Sequence, residues 1–428
     1  MQRRTFLTGA ASVAALGLGA SSQVKAQNRV NVAIAGAGAA GLSIAARLRD
    51  QLPNATITIF DARMNHYFQP GWTLVGAGWW QPSQTVEPTK SYIPSGVKWV
   101  EEFIAEFDPD ANKVTTTSGK VYDYDWLFVT TGLALDYTAI EGMSADLIGQ
   151  NGIGSIYNGP EAAAATARVI DQYIAKGGVG LLGRPQTEMK CAGAPLKMTF
   201  VTDYKAREAG RRKNCDIIYN AHNDAVFAIV PVNARVKEMF AERDIQVRYH
   251  HILKAIDATA RQATFQTPEG DVVTDYDMIH VVPPMRAPQA VRDSSLAWQT
   301  GPNAADGWIE VEKHTLRSPR YPNVFAVGDV AGVPRGKTAA SVKWQVPVAV
   351  DHMVAAVAGK TSPRSYNGYT SCPMVTGKGT AMLIEFDYEG RLVQSFPFID
   401  PLKELWISWF IEDKALIGAY RAMLRGYA

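Results

Sequence analysis

Residues 30–50, VNVAIAGAGAAGLSIAARLRD, decide the fold. A buried strand of alternating Val and Ile runs into Gly36, Gly38 and Gly41, and a helix-forming Ala/Leu/Arg stretch follows. A second strand, ATITIFD, closes on Asp61, twenty residues after Gly41. Each position has a physical task in a dinucleotide-binding βαβ unit. Gly36 makes the tight turn, Gly38 lets a pyrophosphate approach the backbone, and Gly41 lets helix and strand pack closely. The phosphate charge sits on the helix N-terminus, beside Ala39 and Ala40, and Asp61 accepts from ribose hydroxyls. The bland alternative is a βαβ unit that binds nothing. The acid at the correct distance favours a bound dinucleotide.

A second glycine triplet, GVGLLG at 178–183, does not repeat this logic. Its apolar residues lie inside the triplet, so the glycines occupy the strand itself, and RPQTEMKCAGAP follows without an immediate helix. This counts against a nicotinamide site. WLFVTTG (126–132) reads as a buried strand ending in a turn at Thr131-Gly132, and YPNVFAVGDVAG (321–332) as another, delivering Gly328-Asp329 to a loop. A helix is expected from about Thr338. In flavoproteins with two dinucleotide domains, such a Gly-Asp serves the ribityl chain and the next helix aims its positive end at the isoalloxazine. There Lys337 would stabilise anionic reduced flavin. The expected cofactor is therefore FAD, with Gln69, Ile104 and Thr338 as further contacts. No metal site is expected.

The expected class is α/β, with two Rossmann-like domains of the disulfide-reductase-like flavoprotein kind and a C-terminal membrane-facing helical segment. Residues 28–140 and 301–365 would form the FAD domain, 141–300 a second Rossmann-like domain, and 366–428 the C-terminal segment. The chain of 428 residues is too long for one core. A formal net charge of +2 gives no basis for nucleic-acid binding. The run RRK at 211–213 reads as a solvated helix end.

Residues 1–26 read as a leader. Arg3-Arg4 precede an apolar run from Ala10 to Ala20 and the small-residue site Val24-Lys25-Ala26, the pattern of a twin-arginine signal. The expected location is the periplasm, with peripheral attachment to the inner membrane. The tail LKELWISWFIEDKALIGAYRAMLRGYA, 402–428, carries Leu405, Trp406, Trp409 and Phe410 at helical spacing, widened by Ile407 and Ile411. It is too short to span a bilayer. A helix lying in the membrane interface and a helix packed on the protein's own core both fit it.

Three cysteines is an odd number for an oxidising compartment, where thiols tend to pair. Cys215 opens the strand CDIIYN and reads as a small buried hydrophobe. Cys191, in KCAGAP, and Cys372, in TSCPMVTG, both read as turn residues. A stapling disulfide would explain them. Lys190 and Lys197, which favour thiolate, point instead to redox exchange.

Long and chemically odd segments then resemble the sulfide:quinone oxidoreductases, in the two-cysteine branch that includes the mitochondrial enzyme. They are HYFQPGWTLVGAG (66–78), KCAGAP (190–195), MIHVVPPM (278–285), RYPNVFAVGD (320–329), KTAA (337–340), GYTSCPMVTG (368–377), EFDY (385–388) and MLRGY (423–427). The resemblance spans about residues 30 to 427. It implies non-covalent FAD and catalysis at Cys191 and Cys372. Sulfide opens a sulfur bridge between them, leaving a persulfide, and electrons pass through FAD to a ubiquinone-type quinone. Lys190, Lys197, Lys337 and Lys403 would hold anionic sulfur, reduced flavin or quinone oxygen. A small acceptor such as glutathione or sulfite removes the sulfane sulfur, and a homo-oligomer is compatible with all of this.

Many bacterial relatives carry a third cysteine just after the TTG turn, whereas here 130–140 reads TTGLALDYTAI. Three rivals fall short. A type II NADH dehydrogenase does not need the cysteine pair, and 178–183 fails as its nucleotide site. The flavin subunit of a flavocytochrome c-type sulfide dehydrogenase tethers its flavin through a cysteine near the position of Gln69, which forms no thioether. A non-catalytic, flavin-bearing persulfide binder needs no aromatic C-terminal platform.

Overall fold

The computed structural model describes residues 30–427; the leader reading falls outside them. Along the chain, β1 (Asn31–Ala35) leads into α1 (Ala39–Gln51), then β2 (Thr56–Phe60), β3 (Lys98–Val100) and β4 (Trp126–Val129). β1 pairs in parallel with β2 and with β4, Ala33 lying opposite Thr58 and Leu127. Four of the five β1 residues are buried, because helices and loops cover both faces of a parallel sheet.

The chain then builds a second parallel sheet from β5 (Ile153–Gly154), β6 (Gly178–Gly183), β7 (Cys215–Asn220), β8 (Gln246–Arg248) and β9 (Met278–His280), in the order β5-β9-β6-β7-β8. It returns to the first sheet as β10 (Val324–Ala326), beside β4, to give β10-β4-β1-β2-β3. Phe325 stacks on Phe128 at that seam, with ring centroids 5.2 Å apart, and both are fully buried. Such a pair adds about 0.5–1.5 kcal/mol beyond its burial. It ties two stretches of sequence that lie far apart.

GVGLLG is β6 itself, as its pattern implied. The helix after it, α2 (Ala194–Glu208), starts only beyond the Cys191 loop. Two other sequence readings change. TSCPMVTG is not a turn but β11 (Thr370–Gly377), which pairs with β12 (Thr380–Phe386) in a two-stranded antiparallel sheet. A two-stranded sheet has only edge strands, and these tolerate Pro373. The RRK run is only partly solvated: Arg212, a few residues beyond the end of α2, bonds Asp203, which is fully buried. The reading of α3 (Ala339–Val357) is met closely, with Thr338 as its N-cap accepting from the Ser341 N–H.

The tail forms α4 (Trp406–Phe410), a π-helical turn over Ile411–Ala415, and α5 (Leu416–Leu424). The tail packs partly on the protein's own core and leaves part of its aromatic face open. Trp409, Tyr420, Met423 and Leu424 are buried, while Trp406 and Phe410 are exposed. Among the described residues no helix is long and apolar enough to cross a membrane.

At the first turn, Gly36 has φ +110° and Gly41 sits so close that a Cβ would lie 1.9 Å from the Gly36 carbonyl oxygen. Gly41→Ala is therefore expected to push α1 off β1 and to cost at least about 2 kcal/mol, read as a lowered Tm in thermal unfolding. An unchanged Tm would mean that this contact is not needed.

Candidate active site

A cavity of about 1,010 Å³ opens where the glycine-rich turn, the loops after β4 and β10, the Cys191 loop, β11 and the C-terminal helices converge. Gly38, Ala39, Ala40, Thr131, Gly132, Gly328, Asp329 and Thr338 all line it. The N-termini of both α1 and α3 border it, so two helix dipoles present their positive ends. A Cβ on Gly38 would meet nothing within 4 Å, which leaves the backbone open to a close-lying group. This cradle fits a dinucleotide. Gly36 and Gly41 shape the turn from beneath without lining the cavity.

Asp61 is placed differently from its sequence reading. It is 1% exposed, and its oxygens accept from the Ala37 N–H and from Arg63, at 2.7–3.0 Å. Arg63, which the sequence reading missed, is the side chain of this pair that lines the cavity. Ile104 lies buried in a three-stranded antiparallel sheet and is not brought to the cavity wall. Lys403 is exposed, pairs with Asp400 and also lies off the wall.

The remaining lysines divide by partner. Lys337 donates to the Asp329 and Ala331 carbonyls and lies 3.6 Å from the Trp308 ring centroid; burial pulls it down to about 8. Lys190 donates to Gln69 Oε1 at 2.8 Å and lies over Trp72, and desolvation lowers it to about 8. Lys197 differs from both. It is 2% exposed on the first turns of α2, and its Nζ lies 3.6 Å from Glu412 Oε1. Burial would discharge it, but Cys191 and Glu412 more than offset this and hold it above its ordinary value. Removing one partner of such a buried pair typically costs about 3–5 kcal/mol.

The two cysteines meet here. All three cysteines are free in the structure, and Cys191 and Cys372 lie near enough for each thiol to shift the other. Cys191 sits in the left-handed region at φ +49°, its N–H donating to the Lys337 carbonyl and its carbonyl accepting from the Ala194 N–H. Non-glycine residues seldom adopt that conformation, and the loop spends strain to hold it. Gly193 explains the approach to β11, since a Cβ there would lie 2.4 Å from Cys372 Sγ. The neighbouring Cys372 thiol, with Lys197 nearby, lowers the Cys191 thiol, while Cys191 and burial raise Cys372. One sulfur is poised as thiolate and the other as thiol. Cys215 lies 1% exposed at the start of β7, its thiol raised by burial.

Glu412 was not among the sequence candidates. It was concealed in a tail read for its aromatics, and the π-helical turn is what directs it inward. An acid directly after apolar neighbours (Phe410, Ile411) was the available signal.

Comparison with known proteins places the chain. Residues 30–166 match the family model "Pyridine nucleotide-disulphide oxidoreductase". The chain is 34% identical over 405 residues to the mitochondrial sulfide:quinone oxidoreductase of Mus musculus, covering 94% of this chain and 88% of that one. It is 35% identical to the Dictyostelium discoideum counterpart, covering 94% and 87%. The structure of the sulfide:quinone oxidoreductase from Aquifex aeolicus superposes with a TM-score of 0.78 at 21% identity, over 94% of this chain and 92% of that one. With FAD as the cofactor that its cradle fits, the chain belongs to the sulfide:quinone oxidoreductase family, enzymes that oxidise sulfide and pass the electrons to quinone.

Proposed function

We propose that this protein oxidises hydrogen sulfide to sulfane sulfur on Cys191 and Cys372. The observation that carries this reading is that Cys191, Cys372 and the buried Lys197 ammonium share the wall of the cavity that the dinucleotide cradle also lines, with Cys372 Sγ packed against Gly193 of the Cys191 loop. Bound FAD supplies the two-electron acceptance that links thiolate to quinone. Gly38 and the α1 N-terminus would hold its pyrophosphate, with Arg63, Gly328 and Asp329 as further walls. In the oxidised state the two cysteines are bridged. Sulfide forms a bond to the Cys372 sulfur while the bridge breaks, and the bonding pair stays on Cys191 as thiolate. Lys197 neutralises that thiolate. Cys372 is left as the persulfide, from which a small acceptor such as glutathione or sulfite removes the outer sulfur.

Gln69 supports the quinone reductase over the cytochrome-linked rival, because the side chain at that position is a carboxamide engaged by Lys190. The quinone would enter along the wall formed by Ile411, Leu416, Ala419 and Met423, an apolar surface suited to a lipid-soluble ring. Trp344, Phe396, Phe398, Trp406 and Phe410 are 41–78% exposed, and Trp344 and Phe396 line the cavity itself. Exposed aromatics of this kind suit the membrane–water interface, so we place the protein peripherally on a membrane with its quinone entrance facing lipid. Export to the periplasm rests on residues 1–26 alone; the mouse and Dictyostelium relatives carry mitochondrial names.

Cys191→Ser and Cys372→Ser are each expected to lower sulfide-dependent quinone reduction by about a hundredfold or more while retaining bound FAD. Cys215→Ser should stay near native; a loss seen only there would refute the pairing. In a second test, replacing Phe398, Trp406 and Phe410 together with Ser should release the protein from sedimented phospholipid vesicles while a water-soluble short-chain quinone is still reduced. Unchanged sedimentation would place the membrane contact elsewhere.

A further inference from the structure

Glu412 stands out among the buried groups that the reading above does not use. It is 2% exposed, and both carboxylate oxygens are buried without a hydrogen-bond partner. Its place in the wall of the sulfur cavity comes from the π-helical turn Ile411–Ala415, an uncommon element that often marks functional sites. Lys197 approaches it from α2 at 3.6 Å, just beyond hydrogen-bond reach. The other groups acting on it are Cys191 from the loop before α2 and Asp413 from its own turn, and it in turn acts on Cys372 from β11. Asp413 is itself engaged by Trp80 and Lys414. A buried carboxylate with both oxygens open is costly unless it is used.

We propose that Glu412 is the catalytic base that takes the proton from incoming hydrogen sulfide, so that the bridge opens without any change in the net charge of the buried cluster. This rests on the sulfide chemistry assigned to Cys191 and Cys372. Before attack the cluster holds Lys197 as ammonium, Glu412 as carboxylate and an uncharged sulfur bridge, a net charge of zero. One S–H bond of neutral hydrogen sulfide breaks, its proton passes to a Glu412 oxygen and its electron pair stays on sulfur. That sulfur bonds Cys372 as the bridge breaks, and the bridge's bonding pair remains on Cys191. Lys197 now faces the Cys191 thiolate, Glu412 is a neutral acid, Cys372 carries S–SH, and the net charge is again zero. Entry of the hydrosulfide anion alone would instead leave two anions against one cation in a dry site. Lys197 cannot serve as the base, because an ammonium has donors and no acceptor.

The burial that raises the Glu412 carboxyl acts in the same sense, favouring the protonated acid once a thiolate shares its ammonium. A base of this kind lets the enzyme use the neutral hydrogen sulfide molecule, which crosses an apolar wall far more readily than its anion.

The test is the pH profile of kcat/KM for total sulfide, with FAD-loaded enzyme and a short-chain quinone. The native profile should stay level from the pKa of the Glu412 carboxyl up to that of hydrogen sulfide. That of Glu412→Gln should fall about tenfold per pH unit there, following the remaining hydrosulfide anion, and approach native values in alkali. Glu412→Asp, which keeps a carboxylate, should restore a level profile at reduced rate. A Glu412→Gln profile that parallels the native one overturns the proposal. So does a native profile that itself falls tenfold per unit directly below the pKa of hydrogen sulfide, a result that needs no variant to fold. If Cys191→Ser and Cys372→Ser remain active, the sulfur chemistry itself is wrong. If they are inactive and Glu412→Gln keeps the native profile, only the role of Glu412 is lost.

Discussion

The structure turns on the approach of two backbone segments, the loop that starts α2 and the strand β11, at Gly193. No side chain larger than hydrogen fits between that loop and Cys372 Sγ. Cys191 accepts a left-handed backbone to reach the same point, and the Ala194 N–H and Lys337 carbonyl pin it there. The Lys337 carbonyl matters because it belongs to the run that enters α3, the helix bordering the dinucleotide cradle. One hydrogen bond thus couples the position of the Cys191 loop to the wall of the cofactor site. The loop conformation is strained locally and fixed from both sides, as expected where geometry is held for chemistry rather than for stability.

Charge organises what geometry brings together. Lys197 and Glu412 are both nearly inaccessible, and neither would remain ionised alone. Lys197 stays charged because a thiolate and a carboxylate share it, and its presence in turn draws Cys191 toward thiolate. The two sulfurs therefore divide their roles through surroundings rather than residue type. Cys372, buried in its strand, keeps its proton, while Cys191, at a helix start beside an ammonium, loses it. Lys190 and Lys337 are pulled down by burial, with Gln69 and backbone carbonyls as their bonded partners. The three lysines that look alike in sequence are thus different chemical groups.

What was legible in the sequence follows from how local the causes are. The turn at Gly36–Gly41, the strands WLFVTTG and CDIIYN, the strand nature of GVGLLG and the helix after Thr338 are set by residues within one or two turns of each other. Periodicity and turn chemistry expose these. Cys372 was misplaced in a turn because Pro373 and Gly377 are turn residues in most settings, and only the two-stranded pairing with Thr380–Phe386 makes room for them. The Asp61 carboxylate was assigned to a ribose because spacing says nothing of Arg63 folding back two residues later. The partnership of Lys197 with Glu412 joins positions more than two hundred residues apart, and no local pattern reports it.

The tail shows why a single residue pattern supported two readings. A regular α-helix through 406–424 would have to serve an outward aromatic side and a core-facing side with one continuous stripe. The π-helical turn inserts a change of phase between α4 and α5. Before it, Trp406 and Phe410 face outward while Ser408 and Trp409 are buried; within it, Glu412 is buried; after it, Tyr420, Met423 and Leu424 pack inward. The aromatic platform and the buried carboxylate are therefore set by one short segment. A change to the π-helical turn would move the exposed aromatic face and the buried carboxylate together, because both hang on the same continuous helical segment.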